Sequence, residues 1–192
     1  MKLLVFTLCV VFVAAQKPHP CESPKQFEGR FGRFDRVRKL EVFGKFAYDD
    51  INRRYREFEF IQTGSKSEFY DKLFLHNEGF EYSMNLRTRI CNKTAITWPF
   101  RPYAVPPDAN FRGTSVLGPS NLGRQHVTIN IFDGKTPEGN IYYAITTGED
   151  CYPVTFTFFD KKTGETDREN FFDISLGISD PEAFIPPRGC PP

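Results

Sequence analysis

Val154-Thr155-Phe156-Thr157-Phe158-Phe159 alternates apolar and polar side chains along most of its length. A period of two puts Val154, Phe156 and Phe158 on one side of a pleated strand and the threonines on the other. The same alternation recurs in Val127, Ile129 and Ile131 against Thr128 and Asn130. It recurs again in Phe58 and Phe60 against Glu57 and Glu59, while Ile141, Tyr143 and Ile145 share one face. Antiparallel sheet with one buried face produces this pattern. Turn residues separate the runs: Asp49-Asp50, Asn77-Glu78-Gly79, Asp133-Gly134 and Lys161-Lys162-Thr163-Gly164. The expected strands are 27–37, 40–48, 52–61, 69–76, 80–86, 88–98, 127–132, 140–147, 151–159 and 166–174. Strands at this spacing predict a mostly β chain, a two-sheet antiparallel sandwich or a curved half-barrel.

Between the last two groups of strands, Pro99 to Gly123 holds five prolines and three glycines. It reads as a long ordered loop with a helical turn at Pro107–Asn110, of the length that often covers an opening. One short C-terminal helix is expected from Ser179-Asp180-Pro181-Glu182, a capping-box pattern stopped by Pro186 and Pro187.

At the other end, Lys2 precedes an apolar run from Leu3 to Val13, and Val13 and Ala15 sit at the small-residue positions of a cleavage site. Residues 1–15 therefore read as a secretory signal peptide. The run is shorter than the roughly 18 apolar residues of a spanning helix, so the chain is not expected to be membrane-spanning. Residues 16–192 suit a single domain. Without Lys2, that domain balances its basic and acidic residues, which excludes a nucleic-acid footprint. Cys9 leaves with the signal, and Cys21, Cys91, Cys151 and Cys190 form an even set in an oxidising compartment. Two disulfides follow, with three possible connectivities. Asn92-Lys93-Thr94 is a glycosylation sequon.

Catalytic signals are lacking. His19, His76 and His126 are not spaced as ligands or bases, and Gly113-Thr114-Ser115-Val116-Leu117 lacks the second glycine of a nucleophile elbow. The chain reads as a binding protein, not an enzyme, with no required cofactor. Asp49, Asp50 and Asn52 gather three oxygen-bearing side chains in one turn, a low-specificity candidate for Ca2+. The 21 Phe, 8 Tyr and single Trp either fill a core or line an apolar cavity.

Several segments resemble the ependymin family, in order along nearly the whole mature chain. They are Pro20-Cys21-Glu22-Ser23-Pro24 with Phe27-Glu28-Gly29, Tyr48-Asp49 with Asn52-Arg53-Arg54, and Arg87 to Lys93 around Cys91 with Trp98-Pro99. Val105-Pro106-Pro107-Asp108-Ala109-Asn110-Phe111 and the distinctive Asp150-Cys151-Tyr152-Pro153-Val154 follow. Phe171-Phe172-Asp173-Ile174, Leu176-Gly177-Ile178, Asp180-Pro181 and Phe184 before Pro186-Pro187 complete the series. The resemblance implies a fold similar to bacterial lipoprotein carriers, with a deep apolar pocket for a lipid or other hydrophobic small molecule. It also implies a secreted, glycosylated homodimer, extracellular or in the lysosomal lumen, with a link to calcium. Carried over, Cys21 pairs with Cys151 and Cys91 with Cys190. A further cysteine pair of the mammalian relatives has no counterpart here. On this reading Phe58, Phe60, Phe69, Trp98, Tyr143, Phe156 and Phe158 face the pocket and Asn92 carries a glycan. The rival reading is an extracellular matrix or cell-adhesion protein acting through calcium and glycan.

Overall fold

The computed structural model describes residues 17–35 and 39–191. The expected signal peptide, and the last two residues of the expected first strand, lie outside the described residues. Among the described residues there are eleven strands: β1 (Gln26–Asp35), β2 (Leu40–Asp49), β3 (Arg54–Thr63), β4 (Lys66–Leu75), β5 (Phe80–Asn85), β6 (Cys91–Ala95), β7 (Asn110–Leu117), β8 (Val127–Lys135), β9 (Ile141–Thr147), β10 (Pro153–Phe159) and β11 (Thr166–Leu176). They form one antiparallel sheet in the order β6-β5-β4-β3-β2-β1-β11-β10-β9-β8-β7.

Two meanders make up this sheet. The first runs outward from β1 to β6, and the second runs inward from β7 to β11. They join where β1 pairs with β11, with Phe31 opposite Phe171 and Arg33 opposite Glu169. Residues of β4 and β9 nevertheless line one cavity. In a flat sheet those strands would stand about 29 Å apart, at about 4.8 Å per step. The sheet is therefore rolled around its inner face.

Three expectations are corrected. The β-rich antiparallel class holds, but the strands form one continuous sheet and not two stacked ones. The segment after Ser179 is a pair of turns, Ala183 N–H to Asp180 O and Ile185 N–H to Glu182 O, in place of a helix. Its cap residue is engaged elsewhere: the Ser179 hydroxyl donates to Glu28 Oε2 at 2.7 Å. The stretch from Pro99 to Gly123 is not all loop, since it contains β7. That strand has a weak sequence signal because its alternation is broken by an irregularity at Phe111/Gly113 and its side chains are mostly exposed.

Each face of the sheet is covered by one irregular segment. Residues 96–109, the crossover between the meanders, lie over the inner face. Tyr103 packs there on Tyr48, Phe27, Phe156 and Phe171, with ring centroids 4.9–6.1 Å apart. Phe27, Phe31, Val42, Phe46, Tyr48 and Phe171 form the main core beneath it. Gly44 is required in this layer, because a Cβ there would collide with the Phe58 carbonyl and lie 2.8 Å from the Phe31 ring. The N-terminal segment fastens the crossover through Ser23 N–H to Tyr103 O and Val105 N–H to Cys21 O. A disulfide joins Cys21 to Cys151.

The outer face of β2–β6 is covered by residues 178–190. Ala183 and Phe184 pack on Leu73, Leu75 and Tyr82. Arg56, paired with Asp71 at 2.6 Å, donates to the carbonyls of Ala183 and Ile185. A second disulfide, Cys91–Cys190, fixes the end of the segment to β6.

That bridge closes a loop of 99 residues, so its loss should lower stability by up to about 4–5 kcal/mol. The Cys91→Ser/Cys190→Ser variant should melt at lower temperature and lose protease resistance beyond Gly177. An unchanged melting curve and digest would show that side-chain packing alone holds the segment.

Candidate ligand-binding cavity

A cavity of about 900 Å³ lies on the inner face, under and beside the crossover. The alternation of each strand decides what enters it. On β3, Tyr55, Glu57 and Glu59 point inward; on β4, Lys72 and Phe74 do so opposite them. Phe156 and Phe158 of β10 and Tyr142 of β9 form the far wall, and Trp98, Pro99, Pro102 and Tyr103 form the roof. Tyr48 stacks on Phe100, and His76 packs edge-on to Phe100 and Trp98. Burial among these rings pushes the His76 pKa down.

Trp98, Phe156 and Phe158 are thus brought to the cavity. Phe58, Phe60, Phe69 and Tyr143 are corrected to the outer face. The alternation on β3 is present, but its apolar side faces outward, because Glu57 and Glu59 find cationic partners inside. Phe60 pairs across the sheet with Phe43 and Phe69. These rings are only partly covered: Phe43, Phe58, Phe69 and Phe172 are 42–51% exposed.

The inward carboxylates belong to a buried charge cluster that the sequence reading missed. Arg33 Nε and Nη2 contact Glu169 Oε1 at 3.0 and 2.9 Å. Arg33 Nη1 donates to Glu57 Oε2 at 3.0 Å and to Glu59 Oε1 at 3.2 Å, and Nη2 also donates to Glu57 Oε1. Lys72 Nζ lies 2.7 Å from Glu59 Oε2. The Tyr103 hydroxyl, 3.4 Å from Glu169 Oε2, connects the roof to the cluster. Three carboxylates thus face two cations. Burial acts to raise all three carboxyl pKa values. For Glu57 burial is the largest single influence, but the charge and hydrogen bonds of Arg33, with Glu59 and Lys72, together prevail and hold the group below its ordinary value. For Glu59 burial and the neighbouring Glu57 win over Lys72, and its pKa is raised. Glu169 is pushed up to about 7, by burial first and with Arg33 opposing. The one sequence signal for this cluster is charge complementarity between Glu57 and Glu59 on one strand and Lys72 on the next.

The other sequence-designated residues lie elsewhere. The fully buried Asp49 carboxylate accepts from Asn52 Nδ2 at 2.7 Å, Asn52 N at 3.2 Å and Arg54 Nε at 2.9 Å. Burial acts to raise its pKa, but these donors prevail and lower it. Asp50 instead pairs with Lys25 at 2.7 Å. Among the described residues, no group of three or more His, Cys, Asp or Glu could hold a metal ion. Asn92 is exposed on β6. Among the described residues, no helix is long and apolar enough to cross a membrane.

Glu169 should make stability depend on pH. Its folded pKa of about 7 exceeds the ordinary 4.5, so folding favours the protonated form. Its contribution is fully present below about 4.5 and is lost as pH rises to about 7. Urea unfolding of the protein and of Glu169→Gln should therefore diverge across that window. The variant should gain on the order of 2–3 kcal/mol relative to the parent between its ends, at about 1.4 kcal/mol per pKa unit. Parallel stability curves would remove the assigned shift.

A model of the ependymin family matches residues 64–190. Ependymin of Notemigonus crysoleucas is 28% identical over 184 residues, covering 95% of this chain and 85% of the relative. Mammalian ependymin-related protein 1 of Rattus norvegicus is 28% identical over 193 residues, covering 98% and 84%. Ependymin-2 of Carassius auratus is 25% identical over 184 residues, covering 95% and 85%. Among solved structures, an uncharacterized conserved protein from Thermus thermophilus superposes with a TM-score of 0.52 at 11% identity, over 86% of this chain and 88% of that one. That likeness concerns the fold alone. With the motifs of its sequence, the family match over residues 64–190 and the related chains that span nearly all of it, this protein belongs to the ependymin family.

Proposed function

We propose that the protein is a secreted carrier, extracellular or lumenal in a lysosome, that holds a hydrophobic small molecule such as a lipid in the inner cavity and catalyses nothing. The observation that carries this reading is the cavity itself. Its volume of about 900 Å³ is within the range of small-molecule sites, and its walls are mainly rings. Apolar contact supplies affinity there at about 25 cal/mol per Å² buried. The two disulfides suit an oxidising compartment. On the same reading residues 1–15 are removed on export and Asn92 carries a glycan on its exposed strand. Calcium has no part in this proposal, because the Asp49 carboxylate is already occupied by Asn52 and Arg54.

A homodimer is the second element. Phe43, Phe60 and Phe69 form a transverse row on the outer face, with Phe58 beside it, beyond the cover of residues 178–190. Exposed aromatic patches of this kind mark interaction surfaces, and a second copy brings a matching patch of its own.

The two faces separate the two roles. Titration with a lipid should shift Trp98 fluorescence saturably. Phe156→Ala should weaken binding by about 1–2 kcal/mol, in line with the loss of a buried ring. Phe58→Ser/Phe69→Ser should leave lipid affinity unchanged and shift sedimentation from dimer to monomer. Equal loss of lipid binding from both variants would defeat the assignment of faces. No saturable signal with any lipid would defeat the carrier reading.

A further inference from the structure

The polar floor of the cavity narrows the class of ligand. An apolar cavity needs no buried ions, and an ion cluster with an uncompensated charge destabilises the empty protein. Here three carboxylates, Glu57, Glu59 and Glu169, are held by Arg33 and Lys72. Every guanidinium nitrogen of Arg33 already contacts a carboxylate oxygen, so Arg33 offers no free donor to an incoming anion. Glu169 Oε2, by contrast, has one long contact among the described residues, from the Tyr103 hydroxyl at 3.4 Å. That oxygen lies where roof and floor meet. Two buried hydroxyls in the same cavity, those of Tyr142 and Thr136, have no hydrogen bond among the described residues.

We propose that the cavity selects an amphiphile with a cationic, hydrogen-bond-donating head, such as a primary ammonium, seated on Glu169 at the floor with its chain along the Phe156 wall. The inference rests on the carrier reading and adds the chemistry of the head. An ammonium completes the charge balance of the cluster and donates to the under-used carboxylate oxygen, in the strong charge-assisted manner. A carboxylate or phosphate head adds a further negative charge in a desolvated site, where like charges repel.

Charged and titratable groups face Glu169 from several elements. Arg33 reaches it from β1, and Glu57, Glu59 and Lys72 complete the cluster from β3 and β4. Asp167 adds negative charge from β11 itself. Tyr103 comes from the crossover and Tyr55 from β3, while β10 presents the rings of Phe156 and Phe158 together with Thr157. Arg101 of the crossover also lines the cavity, and the neighbouring His76 is held toward its neutral form by burial. Because Glu169 titrates at about 7, affinity for a cation should rise as pH rises through that value.

The test uses three ligands of one chain length, dodecylammonium, dodecanol and dodecanoate, with the full disulfide-bonded protein and Trp98 fluorescence or calorimetry. At about pH 8, the ammonium should bind about tenfold more tightly than the alcohol, and the carboxylate more weakly than the alcohol. The ammonium's advantage should shrink on going to about pH 5.5, where Glu169 is protonated. Glu169→Gln should remove most of that advantage and its pH dependence, whereas Phe58→Ser/Phe69→Ser on the outer face should retain both. Equal affinities for ammonium and alcohol, or the tightest binding for the carboxylate, would overturn the head assignment and leave the carrier reading standing. If a folded protein takes up none of the three, both are overturned, the carrier reading first.

Discussion

Pairing of β1 with β11 is the contact on which the rest of the molecule depends. Among the described residues it is the sole ladder between the two meanders, and it joins residues roughly 140 positions apart, such as Phe31 and Phe171. The cavity has one wall from each meander, so it exists only when that ladder has formed. Its core residues and its charges come from the same rows: Phe31 beside Phe171 is packing, and Arg33 beside Glu169 is the start of the polar floor. Such long-range pairing makes for a late, slow step in folding. The Cys21–Cys151 bridge and the crossover through Tyr103 add connections between the same halves, from above the sheet.

Much of this was legible in the sequence. Period-two runs located ten of the eleven strands, with boundaries near those observed, and the even cysteine count implied two bridges. What alternation cannot reveal is direction. Glu57-Phe58-Glu59-Phe60 reads as one apolar and one polar face, and convention places the rings inside. Here the carboxylates point inward, because Arg33 and Lys72 wait on neighbouring strands and because the outer face is itself half apolar. Local sequence also cannot tell a single rolled sheet from two stacked ones, since both have the same strands and turns. The distinction lies in the β1–β11 ladder, far apart along the chain. β7 escaped notice because Phe111-Arg112-Gly113 interrupts its period, and the capping pattern at Ser179 misled because Glu28, a distant residue, occupies the hydroxyl.

The charged floor differs in kind from the core around it. Phe27, Phe31 and Phe46 are explained by packing alone, as are the rings that surround Tyr103. Replacing the whole cluster of Arg33, Glu57, Glu59, Lys72 and Glu169 by apolar groups of similar volume would be expected to give an equally stable fold. A cluster that stability does not demand, placed at the bottom of a ring-lined hollow, is where a site departs from the rules of a core. The position of Tyr103 supports this view, because one side chain both roofs the cavity and touches the carboxylate beneath.

Among the described residues, the open sheet leaves two strands, β6 and β7, each with one unpaired side. Such borders invite strand addition from other molecules, the first step toward fibrils. Both borders here are poor templates. β6 is only five residues long, contains Lys93 and Asn92, and is followed by Pro99 and Pro102. β7 changes register at Phe111/Gly113, and the intervening Arg112 has its guanidinium turned to Asp133. The rims that leave the sheet unclosed are thereby poor starting points for polymerisation.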